Sequence, residues 1–184
     1  MDLLALGSNK LYGPHGIGAL YLSNRVNAAN ILYGGTQERG LRPGTENVAL
    51  AAGFATALVA IGKLRGSEKK RVAELRDELA RGITKSFSGV VINGDTDRAL
   101  PHMLNISLPN IQSEYVTLAL DKRGVSLSTK SACREGEESR SHVIASMSVE
   151  NWRAENTLRF SLGRETTSRD ISRVLEVLRE VLKV

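Results

Sequence analysis

From Val48 to about Arg81 the chain reads as helix, and that tract splits it into two parts that must fold on either side of it. VALAAGFATALVAIGKL is rich in alanine and leucine with few polar residues, the composition of a well-buried helix. RVAELRDELARGI carries on with Val72, Leu75 and Leu79 on one side, and Gly66 is expected to interrupt the two stretches. Before the tract, DLLAL and IGALYL (17–22) read as short strands joined by a loop over 7–16. ILYGGTQERGLRPGTEN (31–47) has four glycines and a proline, which predict loop.

After the tract, VVIN (90–93), MLNISLP (103–109), VSLST (125–129) and TLRFSLG (157–163) read as strands. SEYVTLALDKRG (113–124) predicts a helix with Ser113 as N-cap and Gly124 as its stop. HVIASM (142–147) predicts a short helix, and a polar loop runs from Lys130 to about Arg140. TTSRDISRVLEVLREVLKV is a terminal amphipathic helix, opened by Thr167 and Asp170 as a capping box. Strands alternating with helices give an α/β or α+β class.

The 25 basic residues are scattered among 20 acidic ones, and the net charge is +5. The densest basic cluster, KLRGSEKKR (63–71), contains Glu68 and reads as a solvated face. Aromatic residues make up 4 % and none interleaves with that cluster, which argues against nucleic acid as a partner. No apolar stretch is expected to reach the length of a membrane span, so no membrane partner is expected. The start MDLLALGSNK lacks the basic region and cleavage site of a signal peptide. The one cysteine, Cys133, cannot pair within the chain, which suits a reducing cytoplasm. His15, His102 and His142 show no metal-ligand spacing, so no metal is expected. His142 suits capping or packing a short helix, or touching the loop thiol, His102 suits a structural place at a strand entry after Pro101, and Trp152 suits a core or rim position.

Two residues carry candidate chemistry. Cys133 sits in STKSACREG between Lys130 and Arg134, whose charge favours the nucleophilic thiolate, with Glu135 opposing them. Lys10 opens a loop with Pro14 and nearby glycines. A lysine there is either a solvated turn residue or an amine held for Schiff-base chemistry, for which it must be neutral. Such a loop can also cradle phosphate, although GPHGIG matches neither the dinucleotide fingerprint nor the P-loop. Arg39 and Arg42 could bind phosphate or pair with Glu38 and Glu46.

SNKLYGPHGIGALY (8–21) resembles the cofactor-lysine segment of the cysteine desulfurases, pyridoxal-phosphate enzymes of the class V aminotransferase superfamily. GGTQERGLRPGTEN (34–47) is similar to that family's next signature, STKSACREG to its catalytic-cysteine loop, and NTLRFSLGRETT to its late strand and turn. The four motifs stand in the family's order along essentially the whole chain. The spacing from Cys133 to SHV (141–143) suits the long-loop subclass that feeds iron–sulfur assembly.

The resemblance implies a fold-type-I transferase. Residues 1–48 would be the C-terminal remnant of the cofactor-binding large domain, 49–81 a linking helical segment, and 82–184 the complete small α/β domain with the cysteine loop. Lys10 would hold pyridoxal 5'-phosphate and then take a proton from Cα of L-cysteine. Cys133 would attack the substrate sulfur and leave as a persulfide, with alanine as co-product. Arg159 would clamp the substrate carboxylate, which suits a bidentate guanidinium. Ser8 and Asn9 would lie at the cofactor phosphate, and Thr45 would reach the phosphate of the neighbouring subunit of a homodimer. A sulfur-acceptor protein such as an iron–sulfur scaffold is the implied partner.

The family's enzymes are roughly twice as long, so the resemblance implies a C-terminal half, inactive by itself. The ring-stacking histidine and the aspartate on the pyridine nitrogen would lie in a preceding part. A GTG valine codon inside a longer gene would explain Met1. Alone, the first segment is expected to expose strand edges and apolar surface. Three positions depart from the family pattern: Asn9 stands for a histidine, Gly7 for a serine and Lys130 for a glycine. Two alternatives remain: a non-catalytic interaction or sulfur-carrier module, and another class V aminotransferase-like lyase.

Overall fold

The computed structural model describes residues 1–129, 140–147 and 149–183. The chain divides into two compact units, Met1–Gly66 and Ser67–Val184.

In the first unit β1 (Leu3–Gly7) pairs antiparallel with β2 (Gly18–Leu22), from Leu3 opposite Leu22 to Gly7 opposite Gly18. Gly18 is dictated by closeness: a Cβ there would stand 2.8 Å from the Leu6 carbonyl oxygen. The hairpin is exposed on both faces, with Leu3 55 % and Leu20 60 % accessible. Ile31 and Tyr33 in the following loop are 87 % and 84 % accessible. Phe54 is the one buried hydrophobic residue among the described residues of this unit. The expected exposure of apolar surface is thus observed.

Helix α1 (Val48–Ser86) runs unbroken for 39 residues, so Gly66 does not interrupt it. A glycine in a helix interior costs only about 1 kcal/mol relative to alanine, and the Ala- and Leu-rich flanks outweigh that. The continuity overturns a second expectation. An 18-residue window of α1 has a mean hydropathy of 1.6 and is only 6 % buried, so by length and composition the helix is long enough to cross a membrane.

The second unit holds a three-stranded antiparallel sheet in the order β3 (Val91–Ile92), β4 (Met103–Ser107), β5 (Thr157–Ser161). Alternation sorts its faces. Leu104, Ile106, Leu158 and Phe160 are buried in a core shared with Val72, Leu79 and Ile83 of α1. Helices α2 (Ser113–Asp121) and α5 (Ser168–Leu182) add Val116, Leu120, Ile171, Val177 and Leu178. Gly82 lets α5 approach α1, since a Cβ there would collide with Leu175. Two further short helices, α3 (His142–Ala145) and α4 (Asn151–Glu155), precede β5, and α4 is not expected from the sequence pattern. His142 opens α3 on an exposed turn, and Ser141 caps it by accepting from the Ile144 N–H.

Two local expectations are corrected. Ser113 is not the N-cap of α2: Gln112 holds that place, and the buried Ser113 hydroxyl instead donates to the Glu155 carbonyl at 3.1 Å. Residues 125–129 are not a strand. They touch the sheet through one bridge, Ser128 to Arg159, whose N–H donates to the Ser128 carbonyl at 2.7 Å. The capping box of α5 is present in full, with Thr167 and Asp170 each accepting from the other's backbone N–H.

Candidate cofactor and substrate site

Where β1 ends, the chain turns through a single 3₁₀ turn, Ser8–Leu11. Tyr12 closes it in the left-handed conformation (φ 58). The Tyr12 and Gly13 N–H groups both donate to the Ser8 carbonyl, and the Ser8 N–H donates to the Ile17 carbonyl at 3.2 Å. The backbone of Ser8 is therefore tied on both sides, and Lys10 is carried on the outside of the turn. Lys10 and Asn9 are exposed, and Lys10 takes part in none of the ion pairs among the described residues. Ser8 is fully buried, and its hydroxyl has no hydrogen-bond partner among the described residues. Gly13 makes room for that hydroxyl: a Cβ there would collide with Ser8 Oγ and stand 3.1 Å from the Ala57 methyl.

Thr45 is exposed in the loop that leads into α1. Three successive left-handed residues, Glu38 (φ 48), Arg39 (φ 60) and Gly40 (φ 77), shape this loop, and the Gly44 N–H donates to Gln37 Oε1 at 3.3 Å. Arg39 and Arg42 are both exposed.

Arg159 belongs to the second unit. It sits mid-strand in β5, opposite Asn105 of β4 on one side and Ser128 on the other. Its neighbours Leu158 and Phe160 enter the core, so its side chain leaves the opposite face of the sheet. There its Nε is buried without a hydrogen-bond partner among the described residues. Ser107 and Thr157, also pointing to this face, are buried polar residues. Ser107 Oγ donates to the Arg153 carbonyl at 2.8 Å, which fastens α4 over the face. At the start of α4, the Glu150 carboxyl is held below its ordinary range, first by its own backbone N–H and then by Arg153.

The structure thus gathers Ser8, Asn9 and Lys10 on one turn of the first unit and puts Arg159 on the polar face of the second. Cys133 and Lys130 lie outside the described residues. Among the described residues there is no cluster of three or more side chains that could hold a metal ion. The sequence reading missed Asn93, Asn105 and Arg153 on the polar face. Its signal was the alternation of MLNIS, which puts Asn105 and Ser107 in phase opposite to the core residues.

A family model described as aminotransferase class-V matches residues 1–174. The chain is 40 % identical over 185 aligned residues to a cysteine desulfurase IscS of Clostridium botulinum, covering 100 % of this chain and 47 % of the relative. Against the cysteine desulfurase IscS of Dictyoglomus turgidum the identity is 37 %, covering 100 % and 46 %. The chain therefore spans about half the length of the curated relatives it matches. Among solved structures, a NifS-like protein superposes with a TM-score of 0.89 at 29 % identity, over all of this chain and 47 % of the other. A NifS-like protein from Rickettsia africae gives 0.87 at 26 %, over 100 % and 48 %.

Proposed function

This chain belongs to the class-V aminotransferase family, and we propose that it is the C-terminal portion of a pyridoxal-phosphate-dependent cysteine desulfurase. The reading rests on one observation above the others: an exposed primary amine at Lys10, two residues from a buried hydroxyl that lacks an acceptor. An orphaned buried hydroxyl costs about 1–3 kcal/mol. Both groups fit a cofactor that bonds to an amine and brings phosphate oxygens. When bound, pyridoxal phosphate supplies an electron sink for a carbanion at Cα.

The chain's own residues divide the remaining work. Lys10 anchors the cofactor and takes the Cα proton of L-cysteine. Ser8 and Asn9 lie beside the phosphate, and Thr45 serves the phosphate of the second subunit in a homodimer. The unpartnered Arg159 Nε supports a role in holding the substrate carboxylate. The Cys133 thiolate attacks the substrate sulfur. An S–S bond forms as the Cβ–S bond breaks, Cβ takes a proton, and the products are alanine and a persulfide on Cys133. That sulfur then passes to an acceptor protein for iron–sulfur cluster or thio-cofactor assembly. In domain terms, 1–48 are the end of the large domain, 49–81 link, and 82–184 form the small domain, all within the cytoplasm.

The exposed apolar surface of the first unit favours one second reading, a non-catalytic module that docks other proteins. Borohydride reduction of the chain with pyridoxal phosphate, followed by peptide mass spectrometry, separates the two. An adduct on the Lys10 peptide that disappears in Lys10→Ala is expected. Labelling spread evenly over exposed lysines would remove the cofactor reading.

A further inference from the structure

The polar face of the β3–β4–β5 sheet holds a chain of side-chain orientations that begins at Arg153. The Arg153 guanidinium donates from Nε (3.0 Å) and Nη2 (2.7 Å) to Asn93 Oδ1. A guanidinium has no acceptor, so Asn93 must turn its oxygen to Arg153 and its NH2 away. That NH2 donates to Asn105 Oδ1 at 2.7 Å and to Ser107 Oγ at 2.7 Å. Asn105 Oδ1 also accepts from Thr157 Oγ1 at 2.7 Å. The carboxamide of Asn105 therefore cannot flip: a reversed amide would set NH2 against the NH2 of Asn93. Its own NH2 is left on the other side, donating to none of the described residues.

Asn105 stands directly opposite Arg159 in the β4–β5 ladder. Partners in direct register carry their Cβ atoms about 4.5–5.5 Å apart on one face. Two donors with no acceptor among the described residues, the Asn105 NH2 and the buried Arg159 Nε, thus neighbour each other on a face where Ser107 and Thr157 have their hydrogen bonds. Paired donors of this kind call for a ligand that brings two acceptor oxygens.

We propose that Asn105 is a second ligand of the substrate carboxylate beside Arg159, with its donating edge fixed by Arg153 acting through Asn93. The inference rests on the reading of Arg159 as the carboxylate clamp. Arg153 and Asn93 are positioning residues: they touch no substrate and decide which end of the Asn105 amide faces it.

The test uses side-chain ¹H–¹⁵N resonances of the 184-residue chain. It is titrated with L-alanine, which carries the carboxylate of both substrate and product, and with L-alaninamide, which lacks it. L-alanine should shift both the Asn105 NH2 and the Arg159 Nε–H, and L-alaninamide should shift neither. Asn105→Asp, which replaces the donor with an acceptor, should weaken L-alanine binding roughly tenfold or more. Arg153→Gln, which frees Asn93 to turn, should weaken it as well while Arg159 Nε–H still responds. An L-alanine shift at Arg159 with none at Asn105 overturns the inference and leaves the carboxylate role of Arg159 standing. No shift at either residue overturns both. An Asn105 response equal for acid and amide overturns the inference, because the carboxylate would then not be what Asn105 binds. The wild-type spectra decide the matter even where a variant fails to fold.

Discussion

Arg71 leaves α1 to meet the turn after β5, where its guanidinium donates to the carbonyls of Gly163 (3.2 Å), Arg164 (2.7 Å) and Thr166 (2.6 Å). Glu68, one turn earlier, accepts from its Nε and Nη2 and is held below the ordinary carboxylate range chiefly by that bond. One side chain thus anchors the turn between the strand of Arg159 and helix α5. Arg71→Ala should destabilise the second unit by about 2 kcal/mol, read from urea unfolding, because three carbonyls lose a charged donor. Arg71→Lys should recover less than half of that, since an ammonium cannot span the three acceptors as a fork does. In the sequence Arg71 belongs to a basic run that reads as solvated, and Lys69 and Lys70 beside it are indeed exposed. Its difference from them lies in partners 92–95 positions away, which no local pattern reports. Lys10 is the opposite case. Its loop is closed by bonds within ten residues, so the turn could be read from glycine and proline spacing. The Asn93–Asn105–Arg153 relay joins residues up to 60 apart and could not.

Helix α5 is the element whose end was written most locally. Thr167 and Asp170 satisfy each other's neighbouring N–H groups, and the Thr167 side chain and backbone together depress the Asp170 carboxyl below its ordinary value. Thr167→Ala should cost about 1 kcal/mol of stability at neutral pH. The acid dependence follows from the sign of the shift. A carboxyl depressed by folding stabilises fully above its unfolded value, here 3.8, and ceases to do so as pH falls through its folded value. The stability difference between wild type and Asp170→Asn should therefore stay constant above about pH 5 and shrink below 3.8, measured by denaturant unfolding at each pH. Capping is legible because it spans four residues. Elements decided by competition were not. Gly66 is a breaker only where the flanks are weak helix formers, and α1 carries through it. VSLST has the composition of a strand, but only Ser128 finds a partner on β5, so a single bridge forms in place of a ladder. The register of β4 against β5 was not written in either strand alone, yet it puts Asn105 beside Arg159.

The two units differ most in where their apolar side chains go. Every residue of the main core cluster lies between Val72 and Val181, within the second unit, whereas the first unit buries Phe54 and leaves Leu3, Leu20, Tyr21, Ile31 and Tyr33 open to water. The first half of α1 adds Val48, Leu58, Val59 and Leu64 to that exposed surface, and an open groove of about 620 Å³ runs along Ala55, Val59, Ala60 and Leu64. Hydrophobic burial is the main term favouring folding, so cooperativity should reside in the second unit. A chain reduced to residues 67–184 keeps the whole cluster, the sheet, α5 and the second half of α1, which carries every cluster residue of that helix. It should unfold in one transition, with a midpoint within a few degrees of the main transition of the full chain, read by circular dichroism. It should also stay monomeric at concentrations where the full chain scatters light, since exposed apolar patches and free strand edges promote association. A shortened chain that melts without cooperativity would mean that the first half of α1 holds the core together. The apolar surface of the first unit would then serve the stability of this chain itself. A cooperative, soluble shortened chain would mean that the core does not depend on this surface, which is then left for contacts with other protein segments.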